Sequence, residues 1–386
     1  MPKRKTKLSK QPKKTKIDTT DVCDAQVAFS FNLLKQLSSE STDAIACSPY
    51  AISICLAIVY AGANGETKEE LRRLLGSDKA SDEQIHHYFH KIRSEIDKKK
   101  GKRWLNSASK ICIATDRPFL QDFEGHMNES YEGLVEQVDF SKQKAVCENL
   151  NRWVSTATHG QIKTMLEESN TPSEAHILLL SAVCFKHSWV NQYTTRFSTE
   201  QIFHLSNTKS RKVRMVHQTA RFRYLYDDKF SVIRFSYKSN IAMYVFLPKA
   251  ITEVGKLFDE TSATEVMTLM KTVKNSKDLR VQVAMPSFEV ESLHNWEKYS
   301  SKLGGLQEAL TSNADFAGIN GNSELFIKRI VQSVYLKSTD EEETEFVTLY
   351  EPSRSCEVHK FTADHPFFYF VMEETLMCIL LGGTFT

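Results

Sequence analysis

Asp340 to His359 reads DEEETEFVTLYEPSRSCEVH, a charged, turn-rich stretch set between apolar strand-like runs. Before it, Leu325 to Leu336 has strand composition. After it, Phe367-Phe-Tyr-Phe-Val371 and Cys378-Ile-Leu-Leu381 have the aromatic and aliphatic density of buried strands. Connections longer than about 12 to 15 residues without structure of their own are uncommon in compact domains and are functional or disordered. This one reads as bait, a length of chain offered to another protein.

The remainder of the chain is large enough to carry such a loop on a solid body. Its 386 residues are 41% hydrophobic and 25% charged, so one large globular domain can bury an ample core. Charge is unevenly spread. Residues 1–20 hold eight Lys or Arg against Asp18 alone, a +7 tail on a body of −5. Such a block cannot bury enough surface to offset its ordering entropy, so a disordered basic tail over 1–20 and a single domain over 21–386 are expected. The tail reads either as a nuclear-import or polyanion-binding arm or as a solubilising extension.

No apolar segment of signal-peptide type follows the basic residues, and no run of 18 apolar residues suggests a membrane span. The eight cysteines show no CxxC spacing and mostly sit in apolar runs, so reduced buried thiols are expected. A cytoplasmic location follows, with the nucleus as an alternative and leaderless release left open.

Val27, Phe31, Leu34 and Leu37 mark one helical face. Ser48-Pro49 opens a second helix, apolar from Ala51 to Ala61, and Thr67-Lys-Glu-Glu70 has the spacing of a capping box for a third. Glu83 to Ile96 is helical and runs into a basic cluster, Lys98, Lys99, Lys100, Lys102 and Arg103, which suits a heparin-like glycosaminoglycan or nucleic acid, or simply a solvated loop. His86 and His90 lie four apart on that helix, but no third ligand stands at a recognisable spacing, and no metal is expected. Val146 to Ala157 is amphipathic with Gly160 as its stop. Strands dominate thereafter: Ile177 to Phe185, Ile241 to Pro248 and Leu279 to Met285. Helices first and strands later, without βαβ alternation, give an α+β fold.

Motifs of catalysis are missing. There is no GxSxG, Walker loop, GxGxxG after a strand, HExxH or Cys/His zinc spacing, so neither an enzyme nor a cofactor is expected. Gly304-Gly305 and Gly382-Gly383 read as turn or strand-end glycines.

Several segments, in order, resemble one family. Phe29-Ser-Phe-Asn-Leu-Leu, Ser48-Pro49 with Ile52-Ser53, Gly62-Ala-Asn-Gly-Glu-Thr-Lys-Glu-Glu70, Asn151-Arg-Trp-Val154 with Thr158-His-Gly-Gln-Ile-Lys163, Phe185-Lys-His-Ser-Trp189, Ala314-Asp-Phe-Ala-Gly-Ile319 and Phe361-Thr-Ala-Asp-His-Pro-Phe367 look like a serpin, most like the intracellular ovalbumin-like branch. The resemblance implies three β-sheets, eight or nine helices, an exposed reactive-centre loop at Asp340 to His359, and a monomer. Its partner would be a target serine protease, or a cysteine protease, trapped when the cleaved loop inserts into the central sheet. Strand insertion of this kind is a general mode of recognition for which serpins are the standing example.

The chain departs from the family in its hinge. Where relatives carry Glu-Glu-Gly-Thr and alanines, it has Glu341, Glu342, Glu343, Thr344, Glu345, Phe346 and Val347. Overpacking costs about 1 to 3 kcal/mol per site, and the lost glycine stiffens the turn. The sheet-opening region departs too: beside the retained Ser48 stand Ala51, Ser181 and Gln332, with Trp189 nearby. Counting back from Pro366 places the reactive bond at Arg354-Ser355, and counting forward from Glu341 places it at Glu357-Val358. Two functions follow: a suicide inhibitor of a trypsin-like protease, or a non-inhibitory serpin acting as substrate, binding, storage or chaperone-like protein.

Overall fold

A computed structural model describes residues 17–98, 105–114, 118–131, 133–172, 176–186, 196–237, 240–302, 306–321, 324–338 and 357–386. The basic tail up to residue 16 lies outside them. Helix α1 (Thr20–Glu40) opens the body and β1 (Ile45–Cys47) follows it. Next comes α2 (Pro49–Tyr60), whose twelve residues are all buried, as an all-round apolar helix must be. Ser48 caps it by accepting the Ala51 N–H at 3.3 Å. Helices α3 (Gly65–Gly76) and α4 (Asp82–Asp97) complete the first half, α4 with a reciprocal capping box between Ser81 and Gln84.

The expected capping box at Thr67–Glu70 is not one. α3 starts at Gly65, and both side chains turn away from their own helix. The Thr67 hydroxyl accepts the Asp315 N–H at 2.9 Å, and the Glu70 carboxylate accepts N–H groups of Gln307, Glu308 and Ala309 at 2.5 to 3.1 Å. The motif does satisfy free backbone donors, but those of a segment some 240 residues away.

A five-stranded sheet forms the centre. It comprises β2 (Leu105–Ala114), β3 (Val135–Val138), β4 (Ile177–Lys186), β10 (Glu289–Asn295) and β11 (Ile327–Lys337), ordered β10-β11-β4-β2-β3. Helix α5 (Gln121–Ser130) precedes β3, and α6 (Gln143–Ala157) crosses the outer face. Val146, Cys147, Leu150 and Val154 of α6 pack there on Leu178, Leu180, Ala182, Val331 and Tyr335, while the inner face joins the main core around α2. Burial on both faces explains why β4 reads as one unbroken apolar run.

The other strands form a continuous nine-stranded sheet: β1, β12 (His359–Thr362) and the run β5 (Arg196–His204), β6 (Ser210–Tyr226), β7 (Phe230–Ser236), β8 (Ile241–Pro248), β9 (Asp278–Pro286), β13 (Phe367–Glu373) and β14 (Cys378–Phe385). The 17-residue β6 joins two of the three expected sheets into one. Residues 210–218 pair with β5, while 223–226 pair with β7. Helices α7 (Val254–Asp259) and α8 (Ala263–Asn275) lie between β8 and β9, and the short α9 (Ala317–Asn320) precedes β11. Nine α-helices are thus present among the described residues.

One glycine reading is corrected. Gly382 and Gly383 lie inside β14, opposite Cys47 and Ala46 of β1. A Cβ on Gly383 would stand 2.2 Å from the Tyr369 Oη and 2.4 Å from the Ile45 oxygen, so the close packing of β1 on β14 requires the glycine.

Candidate functional site

The site is the seam between β4 and β11 and the chain that leaves β11. These strands run parallel and pair over ten positions, from Ile327↔Ile177 to Lys337↔Lys186. The sheet is closed along its whole length. At the end of β11, Ser338 is pinned on both sides: its N–H donates to the Phe288 oxygen at 2.9 Å and its hydroxyl accepts the Phe288 N–H at 3.0 Å. The chain resumes at Glu357 and enters β12, where His359 pairs with Val281 of the other sheet. Residues 339–356 therefore connect two different sheets. The hinge residues Glu341 to Val347 and the Arg354-Ser355 bond fall in that stretch, outside the described residues.

Three of the four expected sheet-opening residues in the described chain meet at the Gln332 amide. Gln332 is wholly buried, and its amide clasps the corner before α2. Its Oε1 accepts the Ser48 N–H at 2.9 Å, while its Nε2 donates to the Ser48 oxygen at 2.9 Å and to the Ser181 hydroxyl at 3.1 Å. The Ser48 hydroxyl donates to the Leu380 oxygen at 2.7 Å. Ala51 takes part only through its backbone N–H to Ser48. Trp189 lies outside the described residues.

The strand register adds two members that the sequence did not point to. His294 of β10 stands opposite Gln332, and Ser109 of β2 stands opposite Ser181, so His294, Gln332, Ser181 and Ser109 form one polar row across four strands. His294 Nε2 lies 2.8 Å from the Ala46 oxygen, which can only accept, so that nitrogen carries the proton. Burial holds the His294 imidazole below its ordinary range, against the pull of the Ala46 carbonyl. Ser292, two residues earlier on β10, accepts the Ala46 N–H at 3.1 Å. Gln332 on β11 thus faces a histidine that projects from the neighbouring strand. His294 was visible only as one alternate residue of a strand following β9.

The seam is therefore asymmetric. The corner at Ala46 and Ser48 is tied to β10 and β11, while across the seam run the backbone ladder, the Gln332–Ser181 bond and Lys186 of β4, whose ammonium lies 5.0 Å from the Tyr335 ring of β11. Tyr335 in turn donates to Glu289 at 2.6 Å. A strand folding back from β11 would be antiparallel to both neighbours, replacing a parallel ladder by two antiparallel ones.

Other candidate residues are dispersed. Lys98 ends α4, exposed and 2.6 Å from Glu95, and Lys99, Lys100, Lys102 and Arg103 lie outside the described residues. His86 and His90 do not converge: His90 is exposed, whereas the His86 ring stacks on His126 at 5.6 Å and its Nδ1 lies 3.2 Å from the Tyr131 hydroxyl. Burial, with His126 beside it, pushes the His86 imidazole down to about 4. The seven described cysteines are all free, and burial pushes the Cys47 and Cys55 thiols up to about 12. Among the described residues no helix is long and apolar enough to cross a membrane.

A family model described as serpin (serine protease inhibitor) matches residues 24–386. Serpin B8 of Homo sapiens is 25% identical over 374 residues, covering 95% of this chain and 99% of that protein. Leukocyte elastase inhibitor A of Mus musculus is 26% identical, covering 93% and 97%. The crystal structure of uncleaved ovalbumin superposes with a TM-score of 0.81 at 22% identity, over 94% of this chain and 99% of that one.

Proposed function

Because the chain belongs to the serpin family, we propose that it is a suicide inhibitor of a trypsin-like serine protease, with Arg354 as the bait. The observation that carries this reading is the closed β4–β11 seam, with the loop leaving one sheet and entering another. Cleavage between Arg354 and Ser355 frees the loop from β12 and leaves it attached to β11. The protease serine hydroxyl attacks the Arg354 carbonyl, the peptide bond to Ser355 breaks, and the proton passes through the protease base to the departing amine. The acyl ester then travels with the loop.

With Arg354 as bait the insertable segment is about three residues shorter than with Glu357, roughly 10 Å of strand at ~3.3 Å per residue, yet the eleven residues from Thr344 to Arg354 still suffice to run beside the ten register pairs of the seam. Glu357-Val358 is the poorer choice. Val358 adjoins His359, whose strand pairing leaves only Val358 free beyond the bond for a protease cleft to grip.

Glu343, Phe346 and Val347 favour a second reading, in which insertion is too slow and the loop is only a substrate. An inserted strand would be buried between the α2 core and α6, where Phe346 and Tyr350 need room. Incubation with trypsin-like proteases decides between the two. An SDS-resistant covalent complex is expected, and cleavage after Arg354 with no complex in any ratio would establish the substrate reading. The free, buried thiols support action inside the cell. A polyanion partner is proposed at Lys98 to Arg103.

A further inference from the structure

We propose that the outward face of β6, β9 and β12 is a docking surface for an acidic patch on the attacking protease, a proposal that rests on the reading of the loop as protease bait. The strand register sets Arg221 of β6 directly opposite Arg280 of β9. Like charges in that position repel, and opposite charges would stabilise the pair. Gln282, next outward on β9, lies between Thr219 of β6 and Lys360 of β12. Arg221, Arg280 and Lys360 are exposed, and among the described residues none of them forms an ion pair. The alternate residues Phe222, Val281, Val283 and Phe361 are buried, so the cations share the solvent face.

Acidic groups nearby do not neutralise this face. Asp278 is engaged with Arg223, 3.7 Å away. Glu357 is exposed just ahead of β12 and forms no ion pair with these cations among the described residues. Three uncompensated cations therefore remain on one small polar surface.

Its position selects the partner. Lys360 is five residues beyond Ser355, at most about 17 Å of extended chain. A protease seated on that bond is far wider than this span, so part of its surface comes within about a Debye length of Lys360 and Arg280. A cationic field there accelerates encounter with an acidic partner by roughly 10- to 1,000-fold and weakens with salt. A free polyanion would find the same charge, but nothing about it requires a place beside the loop.

The test is the second-order rate of loop attack by a panel of trypsin-like proteases differing in surface charge, counting covalent complex and cleaved product together. Arg221→Glu with Arg280→Glu should slow attack by acidic members at least tenfold at low salt, flatten the salt dependence, and spare members without an acidic patch. Lys360→Glu should act in the same direction, and it reports alone if the double variant does not fold. Equal rates and equal salt slopes for wild type and variants would overturn the proposal, as would a panel in which no member attacks the wild-type loop. Loss of retention on immobilised heparin with an unchanged protease rate would also overturn it, assigning the surface to polyanions. Cleavage without complex refutes inhibition alone, because the ratio of attack rates still reports docking.

Discussion

Gln332 and Ser181 meet across the β4–β11 seam, amide nitrogen 3.1 Å from hydroxyl oxygen, at a point where both side chains are buried. The same Gln332 amide satisfies both backbone groups of Ser48. If the loop inserts as proposed, opening the seam would break the first contact and spare the other two, so the corner before α2 would stay with β11.

Gln332→Ala is expected to lower the stability of the uncleaved protein by about 1 to 3 kcal/mol, since buried Ser48 groups lose their partners. A thermal scan should fall by several degrees, and Ser181→Ala should cost less because it removes only the bond across the seam. An unchanged scan for Gln332→Ala would show that water replaces the amide.

Glu343→Gly combined with Phe346→Ala should shift the outcome of protease attack from cleaved product toward covalent complex several-fold. Relief of overpacking at about 1 to 3 kcal/mol per site is sufficient for that change. Stoichiometry titrations measure it, and an unaltered partition would mean that the seam accommodates the bulk already.

Arg354→Ala should reduce attack by trypsin-like enzymes on the order of a hundredfold or more, because a pocket built for a cation rejects a residue that leaves its charge unpaired. Sequencing the new amino terminus checks this. Undiminished cleavage at Glu357-Val358 would move the reactive bond.

Stability should fall between neutral pH and pH 4. His86 and His294 both have folded values below the ordinary histidine value of about 6.5, so below that pH the unfolded chain binds protons that the folded one refuses. Their contribution is complete above about 6.5 and is lost progressively as pH falls, on the order of 2 kcal/mol at pH 5 for His86. Beside the burial that resists the charge, His126 opposes protonation of His86 and Asp82 favours it. His86→Gln should flatten the melting profile between pH 5 and 7, and a profile as steep as wild type would place the proton uptake elsewhere.

Glu70→Ala should loosen the segment 307–309 by roughly 2 to 3 kcal/mol, because three backbone donors lose a charged acceptor together. Faster amide exchange at Gln307, Glu308 and Ala309 would report it. Protection equal to wild type would mean that other acceptors suffice.

Much of this protein is determined by sequence alone. The apolar runs of β4, β8, β13 and α2, the Ser48-Pro49 start and the order of the family's segments all depend on contacts a few residues apart or on burial of a whole run, and both leave a local trace. Thr67 and Glu70 had the spacing of a helix cap, yet their partners lie in the segment 307–315. Gly383 read as a turn or strand-end glycine and proved to be the place inside β14 where β1 approaches. His294, Gln332, Ser181 and Ser109 became one row, and Arg221 came to face Arg280, only when strands far apart in the chain took their register. A strand's alternation tells which residues share a face, but not which residues on another strand stand opposite them. That choice belongs to the packed sheet, and so the loop could be recognised from sequence while the seam that would receive it could not.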